Sequence, residues 1–516
     1  MRYPVGRRQL YLRRFLVFLI VFGSFTFLLQ ILSLLGRPDD GWISTAKLRK
    51  ALNLPVPSRD ELEINFTEAS GEDLLHLSLL HERCVSDVDS VLPWHFGSPG
   101  HQFSNATASN PEVVAHRNDS DLLLRLKTCP DIDIFLPKGL HGSGYCEDAV
   151  AYANAKSCPL TDVILLPMWA LQVKMFDPEL GKEVDYFDLC PKTPMIFFNH
   201  YWDGVPSMSR WPNEKPIYLM PNIEMIELTP EHYWRADAVL CKTQECFHRV
   251  TMWYKQEGNP RNTPVFYTKH TSSNQAYFAR SRLGEDAIAP KNFSTVKFLH
   301  TPGVSNWKGT RTVLDCWTSI AGLPPLEVYL GEKLYKRIPL QIRERLTDSS
   351  SPVHVHVGTV ESLQFAKIIA EGSFFLCPSL SEGYGHYLNQ ARASGGVIVT
   401  TNVPPMNELI PSSKVGVLVS ASRRANTLVL LGGDFNGERG LNNLDGLMAS
   451  ITALELHHAV LDMVNSTTPE QRAAIAANAR RQYHEDTKFF AKAMQDLRKF
   501  SKTDKEEMRG GFWPFN

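Results

Sequence analysis

An α/β chain is predicted, built from two tandem doubly wound parallel-sheet units behind a transmembrane helix and a stem. Three observations predict it. Short apolar runs alternate with helical stretches twice over, first from Asp131 to His270 and again from Val296 onward. Glycine-rich turns follow several of these runs, as at the strand ends of open α/β sheets. Residues 15–35, FLVFLIVFGSFTFLLQILSLL, carry no charge over 21 positions.

That run comes first in the chain. At about 1.5 Å per residue it is long enough to cross a hydrocarbon core of about 30 Å. Arg2, Arg7, Arg8, Arg13 and Arg14 precede it, and Arg37, Asp39 and Asp40 follow. The positive-inside rule therefore keeps residues 1–14 in the cytosol and sends the rest across, as a type II signal anchor. A cleaved signal peptide is the competing reading, but its apolar region runs only about 7–15 residues. Residues 36–125, with scattered prolines and one helical stretch near 74–80, read as a lumenal stem. Sequons at Asn65, Asn105, Asn118, Asn292 and Asn465 fit a lumenal chain. The nine cysteines show no zinc-like spacing. In an oxidising lumen some of the first seven would pair, while Cys377 lies in an apolar run and reads as a packed thiol.

From Asp131 the runs DIDIFLP, VILLPMW, MIFFNHY, PIYLMPN, DAVLCKT and PVFYTKH read as strands of a first domain, residues 126–290. The runs VKFLH, LEVYL, VHVHV, FFLCP, VIVTT and VGVLV read as strands of a second, residues 291–468, and residues 469–516 read as a terminal helical segment. A length of 516 residues with 43% hydrophobic content accommodates both domains. The net charge of -1 excludes a nucleic-acid footprint.

The richest stretch is PSLSEGYGHYLNQARASGGVIVT, residues 378–400, which follows a buried-type strand and leads into a helix. Gly383 and Gly385 let backbone N–H groups approach a phosphate at the helix N-terminus. Glu382 is out of place beside phosphate alone and suits sugar hydroxyls, since a carboxylate accepts charge-assisted bonds from them. The competing reading makes it a helix N-terminal carboxylate favoured by the dipole. Upstream, HTPGVSNWKGT places Lys308-Gly309 at the start of another helix, and VHVHVGTVESLQ places Gly358 and Val360 after a third strand.

In this order and spacing the segments resemble the retaining family 4 glycosyltransferases with the GT-B fold, over about 130 residues. The resemblance implies two facing Rossmann-like domains and a terminal helix packing back on the first. The first domain would bind the acceptor and the second a UDP- or GDP-linked sugar, with no other cofactor and no metal. Glu382 and Lys308 would be catalytic, Glu382 on the transferred sugar and Lys308 on the diphosphate. Gly303, Gly358, Val360, Gly383, Tyr384, Gly385, His386 and Gln390 would complete the donor site. Two positions depart from the pattern: Gln390 stands where the second Glu of E-x7-E holds ribose, and Gly303 stands where an Arg is usual. His300 and Arg311 are candidate replacements for that cation. His386 would either approach the sugar or pack on Tyr384.

In the first domain Gly142, Gly144 and His200 fall at strand ends and are candidates for the acceptor side, with Lys242, His270 and Asn222 less supported. The resemblance implies transfer of a hexose or pentose to a glycan, glycoprotein or glycolipid, with the departing phosphate taking the proton. By analogy with anchored transferases the expected location is the Golgi membrane, with the endoplasmic reticulum second. A non-catalytic sugar-binding or scaffolding protein of the same fold is the alternative. A glycogen-type or phosphorylase-like enzyme is disfavoured by the lumenal placement. Asp131-Ile132-Asp133 lies at the start of a strand, the wrong end for an Asp-x-Asp metal site.

Overall fold

The computed structural model of the chain describes residues 81–82, 84–95, 115–127, 129–152, 162–199 and 201–503. The expected span at 15–35, the helical stretch near 74–80, the sequons at Asn65 and Asn105, and His200 lie outside the described residues. Among the described residues, no helix is long and apolar enough to cross a membrane.

The first sheet contains β1 (Leu92–His95), β2 (Ile132–Phe135), β3 (Asp162–Leu166), β6 (Met195–Phe198), β7 (Ile217–Met220), β8 (Ala238–Cys241) and β9 (Val265–Tyr267). Between β3 and β6 a separate hairpin pairs β4 (Met175–Asp177) with β5 (Lys182–Val184). The spatial order of the sheet is β1-β3-β2-β6-β7-β8-β9. Its members β2, β6, β7 and β8 are buried at every position, which is why IDIF, MIFF, IYLM and AVLC read as unbroken apolar runs with helices on both faces. All neighbours are parallel except β1, which runs antiparallel to β3. This corrects the all-parallel expectation: part of the stretch read as stem supplies an edge strand.

The second sheet contains β10 (Phe298–Gly303), β11 (Leu326–Leu330), β12 (Val353–Val357), β13 (Phe374–Cys377), β14 (Val397–Thr401) and β15 (Val417–Val419), all parallel. Its order is β12-β11-β10-β13-β14-β15. Counted from β10 this is 3-2-1-4-5-6, the doubly wound order whose reversal point opens a crevice between the first and fourth strands. The crevice therefore lies at the carboxyl ends of β10 and β13, where the sequence places Lys308 and Glu382.

The helices that position the site are α1 (Cys146–Tyr152), α2 (Gln244–Glu257), α3 (Gln275–Leu283), α4 (Thr310–Ser319), α5 (Ser362–Glu371), α6 (His386–Ser394), α7 (Ala453–Ser466) and α8 (Pro469–Ser501). Helix α8 starts from a capping box between Thr468 and Gln471 with Pro469 in the first turn. It leaves the second domain through Ala476 and Ala479 and continues onto the first. There Tyr483 OH donates to Ser272 O at 2.8 Å, Phe490 packs on His270, and Phe500 packs on Phe266.

A second tie joins the domains. Between β16 (Ser422–Arg424) and β17 (Met448–Ser450) the chain makes an excursion whose Leu430, Leu431, Leu441 and Leu447 share a core with Tyr233, Trp253 and Tyr254 of the first domain. Buried Arg249 of α2 donates to Leu431 O at 2.7 Å, and Trp253 Nε1 donates to Arg439 O at 2.7 Å. Six cysteines pair as Cys84–Cys146, Cys129–Cys190 and Cys241–Cys246, while Cys316 and Cys377 are buried thiols. The sequons at Asn118, Asn292 and Asn465 are exposed.

Candidate active site

The second domain builds its half of the site at the reversal point. After β10 the chain passes through a 3-10 turn, Asn306–Lys308, and Gly309 then opens α4 in the left-handed region at φ +70°. A Cβ at Gly309 would lie 2.2 Å from Pro378 O, so only glycine lets this turn rest on the one after β13. Leu380 N donates to Trp307 O at 2.7 Å and fixes the two turns together. Lys308 Nζ consequently meets Glu382 Oε1 and lies 4.1 Å from the centre of the Tyr387 ring. Ser379 Oγ donates to the same carboxylate oxygen, and Tyr387 OH lies 2.5 Å from Ser379 Oγ.

Beside this pair the ends of β10, β11 and β12 form an open apron. Gly331 N donates to Gly303 O at 2.8 Å and Gly358 N to Leu330 O at 2.9 Å. Gly303 and Gly358 have positive φ with nothing near a built Cβ. Val304, Trp307 and Val357 stand 63%, 49% and 45% exposed around them, and Val360 is half-buried. An apolar, solvent-facing surface next to a half-buried lysine paired with a buried glutamate suits a flat ring carried on an anionic tail.

His300 is not the replacement cation. It is fully buried, with Nδ1 on Leu376 O at 2.7 Å and Nε2 on Thr310 Oγ1 at 3.0 Å. Burial lowers its pKa to about 4, so it is neutral at physiological pH. Arg311 is exposed on the first turn of α4.

The turn carrying Glu382 meets the carboxyl edge of the first sheet, so the two edges face each other. A Cβ at Gly383 would lie 2.2 Å from Asn222 Oδ1 and 2.8 Å from Glu224 Oε1, both in the loop after β7. Gly385 caps α6 at φ +105°. Tyr384, expected in the donor site, instead sends its side chain into the interface: its hydroxyl donates to His270 O at 3.1 Å and accepts from Asn389 Nδ2. His386 both packs on Tyr384 and crosses to the first domain, with Nδ1 2.8 Å from Ser272 Oγ and Nε2 2.9 Å from Asp148 Oδ1. Gln390 Nε2 donates to Glu147 Oε1 at 2.7 Å, so this amide nitrogen is engaged within the protein.

Glu147 and Asp148, adjacent on α1, organise the interface. Glu147 also accepts from Ser273 N and Ser273 Oγ. Burial opposes its ionisation, but His81, His386 and the Ser273 bonds outweigh it, and its pKa is lowered. Asp148 takes Lys242 Nζ at 2.8 and 2.9 Å, with His270 Nε2 at 3.1 Å and His386. Burial again opposes ionisation, and Lys242 and His386 override it, leaving the carboxyl well below its usual range. Asp148, His270 and His386 bring three ligand-type atoms within 4.8 Å of one another, but the Lys242 ammonium already supplies the positive charge there. Burial lowers the His270 pKa to about 4.

Three residues at these strand ends hold φ values unusual for non-glycine residues: Asn199 at +65°, Lys269 at +59° and His270 at +38°. Such strain is tolerated where surrounding contacts over-determine it: Lys269 pairs with Asp486 at 2.7 Å, and Asn199 and His270 are fully buried. Asn199 Oδ1 accepts from Asn222 N at 2.8 Å and its Nδ2 donates to Tyr145 OH. Gly142 and Gly144 belong to the one-turn π-helix His141–Tyr145 that leads into α1, with Gly144 at φ +90°. Asp133 is buried against Lys215 at 2.6 Å and Tyr186. Glu147, Asp148, Glu224 and Glu227 stand in no motif that the sequence displays. The signal available for the last two was their position just after the apolar run IYLM.

No protein-family model and no curated protein matches the chain. Solved structures resemble it at low identity. The crystal structure of TarM is 14% identical, covering 66% of this chain and 61% of TarM, with a TM-score of 0.42. Sucrose-phosphate synthase from Thermosynechococcus elongatus is 13% identical, covering 66% of this chain and 83% of its own, with a TM-score of 0.43. Anabaena HepE in complex with UDP and glucose is 16% identical, covering 55% of this chain and 70% of its own, with a TM-score of 0.35. The chain thus spans less than two thirds of TarM, and at these values the likenesses decide nothing about individual residues.

Proposed function

We propose that the chain is a glycosyltransferase that moves a hexose or pentose from a UDP- or GDP-linked donor to a hydroxyl of a glycan, glycoprotein or glycolipid. The observation that carries this reading is the Lys308–Glu382 pair at the reversal point of a 3-2-1-4-5-6 sheet, facing the carboxyl edge of a second sheet. The apron around Gly303, Gly358 and Trp307 would take the nucleoside, and Lys308 with the N-terminus of α6 would take the diphosphate. Glu382 would hold the sugar. Retention of configuration and independence of metal follow from the resemblance to family 4 enzymes. Three disulfides and exposed sequons support a lumenal chain anchored by residues 15–35 in the Golgi membrane.

The test is release of free nucleotide by the detergent-solubilised full chain from a panel of UDP-, GDP- and CMP-sugars. One donor should turn over, and Lys308→Ala and Glu382→Ala should each lower kcat about 10²–10³-fold. Turnover unaffected by both substitutions would end this reading. A second reading, a sugar-binding protein without turnover, is favoured by the engagement of Gln390 with Glu147. It predicts saturable donor binding with no nucleotide released.

A further inference from the structure

The loop after β7, residues 221–227, contributes two carboxylate oxygen atoms that are enclosed and have no hydrogen-bond partner, Glu224 Oε2 and Glu227 Oε2. When the carboxyls are ionised both are acceptors, and buried acceptors left empty are rare in folded proteins. What they lack is a group of closely spaced donors. A sugar presents such a group as neighbouring hydroxyls.

Gly383 covers this loop in the arrangement seen here, so a ligand would reach it as the two sheet edges part, beside the turn that carries Glu382. Glu224 Oε1 lies where a Cβ on Gly383 would be 2.8 Å away, so this carboxylate abuts the turn that carries Glu382. The charged and titratable groups influencing Glu224 are Lys242 at the end of β8, Asp148 on α1 and Glu382 across the cleft. Tyr145, before α1, also feels Asp148, Glu224 and Glu227, and Tyr233 feels Glu224. The two nearby cations are committed: Lys242 makes both its short contacts to Asp148, and Lys308 pairs with Glu382. The first-domain wall therefore offers an anion carboxylates and phenols and no uncommitted positive charge among these groups.

We propose that this wall is an acceptor site for an uncharged, polyhydroxylated sugar end, with Glu224 and Glu227 accepting bonds from hydroxyls beside the one to be glycosylated and with uronate or phosphate acceptors repelled. The proposal rests on the transferase reading for its reaction but not for its ligand. Burial, opposed by Lys242 and assisted by Glu382 and Asp148, raises the Glu224 pKa to about 7. Ionised Glu224 is the form that accepts two bonds, so acceptor binding tightens as pH rises through that value.

The experiment uses the solubilised full chain, neutral gluco-, manno- and galacto-oligosaccharides, and their uronate and phosphate counterparts. Binding without donor is followed by saturation-transfer NMR, and transfer by acceptor kinetics. Neutral sugars should bind and anionic ones should not. Glu224→Gln should raise the acceptor Kd or KM at least tenfold at pH 8 and much less at pH 6, with kcat falling less than threefold. Glu227→Gln should act in the same direction. Equal use of anionic acceptors by the unsubstituted protein, or an acceptor affinity indifferent to both substitutions, overturns the proposal. Glu224-dependent sugar binding without any nucleotide release upholds this site and overturns the transferase reading instead.

Discussion

Gly383→Ala tests whether the observed approach of the two domains is the working one. The new Cβ would stand 2.2 Å from Asn222 Oδ1, 2.6 Å from its Cγ and 2.8 Å from Glu224 Oε1. The first distance is roughly 1 Å short of ordinary contact. Gly383 is not among the positive-φ glycines, so alanine suits its backbone and the cost is purely steric, across the domain boundary. Asn222 has little room to retreat, because its N–H donates to Asn199 Oδ1 at 2.8 Å and Asn199 is itself buried and bonded to Tyr145. Overpacking of this kind costs about 1–3 kcal/mol, which would shift the closed-to-open ratio about 5–150-fold. The assay is kcat/KM for nucleotide release beside the unfolding midpoint. The ratio kcat/KM should fall within that range, while the midpoint moves by only a few degrees, because opening relieves the clash without unfolding either sheet. Adding Asn222→Ala should restore part of the loss, a non-additivity expected only of groups in contact. A Gly383→Ala protein whose kcat/KM stays within twofold of the parent would refute the reasoning.

Two further outcomes follow from buried charges. His300 has its folded pKa lowered by burial to about 4 from 6.5, so the unfolded chain binds the extra proton between those values and His300 subtracts stability as pH falls. Denaturant unfolding should show the parent losing about 3 kcal/mol relative to His300→Gln between pH 6.5 and 4, with no change in that difference above pH 7.5; a flat difference would mean that His300 takes up its proton in the fold as readily as in the unfolded chain. Asp148→Ala leaves Lys242, 2% exposed, without its carboxylate and should cost about 3–5 kcal/mol of unfolding free energy, and Asp148→Ala with Lys242→Met should cost much less; equal losses in the two proteins would show that the pair is not the source.

The fold was legible wherever strands are buried on both faces, since runs such as IDIF, AVLC and FFLC have few alternatives once turns bound them. VHVHV was legible for a different reason: it is the edge strand β12, and its alternation leaves His354 and His356 exposed. LPWH at β1 was not legible, because a proline and a histidine within four residues signal an edge or a loop, and only pairing with β3 makes it a strand. The excursion between β16 and β17 was hidden by its composition. GGDFNGERGLNNLDG reads as solvated loop, and its scattered leucines become a core only against Trp253 and Tyr254. In the site, Lys308 and Glu382 were legible because each is fixed by its own strand, turn and helix. Tyr384 and Gln390 sit in the same motif, yet their directions are set by His270 and Glu147 of the other domain, which no local pattern encodes.

The Lys308–Glu382 pair also bears on how such a site would favour a transition state over a bound donor. In the closed protein Glu382 is 8% exposed and depends on Lys308 for a counter-charge. In the proposed transferase a donor diphosphate would compete for that lysine, and the carboxylate would be left with the Ser379 hydroxyl and neutral sugar hydroxyls as partners. A buried carboxylate without a cation is poorly solvated, so donor binding would be weaker than the number of new contacts implies. The deficit would be made good as the sugar–phosphate bond stretches. Positive charge would then develop on the ring beside Glu382, while negative charge would develop on the phosphate beside Lys308. Glu382 would regain in the transition state an opposite charge that it lacked in the donor complex, while the charge facing Lys308 would grow. Only interactions that strengthen in this way accelerate a reaction. The departure at Gly303 bears on the same exchange: with no arginine there and His300 neutral, Lys308 would have to leave Glu382 to serve the diphosphate, unless exposed Arg311 on the first turn of α4 supplied the second cation.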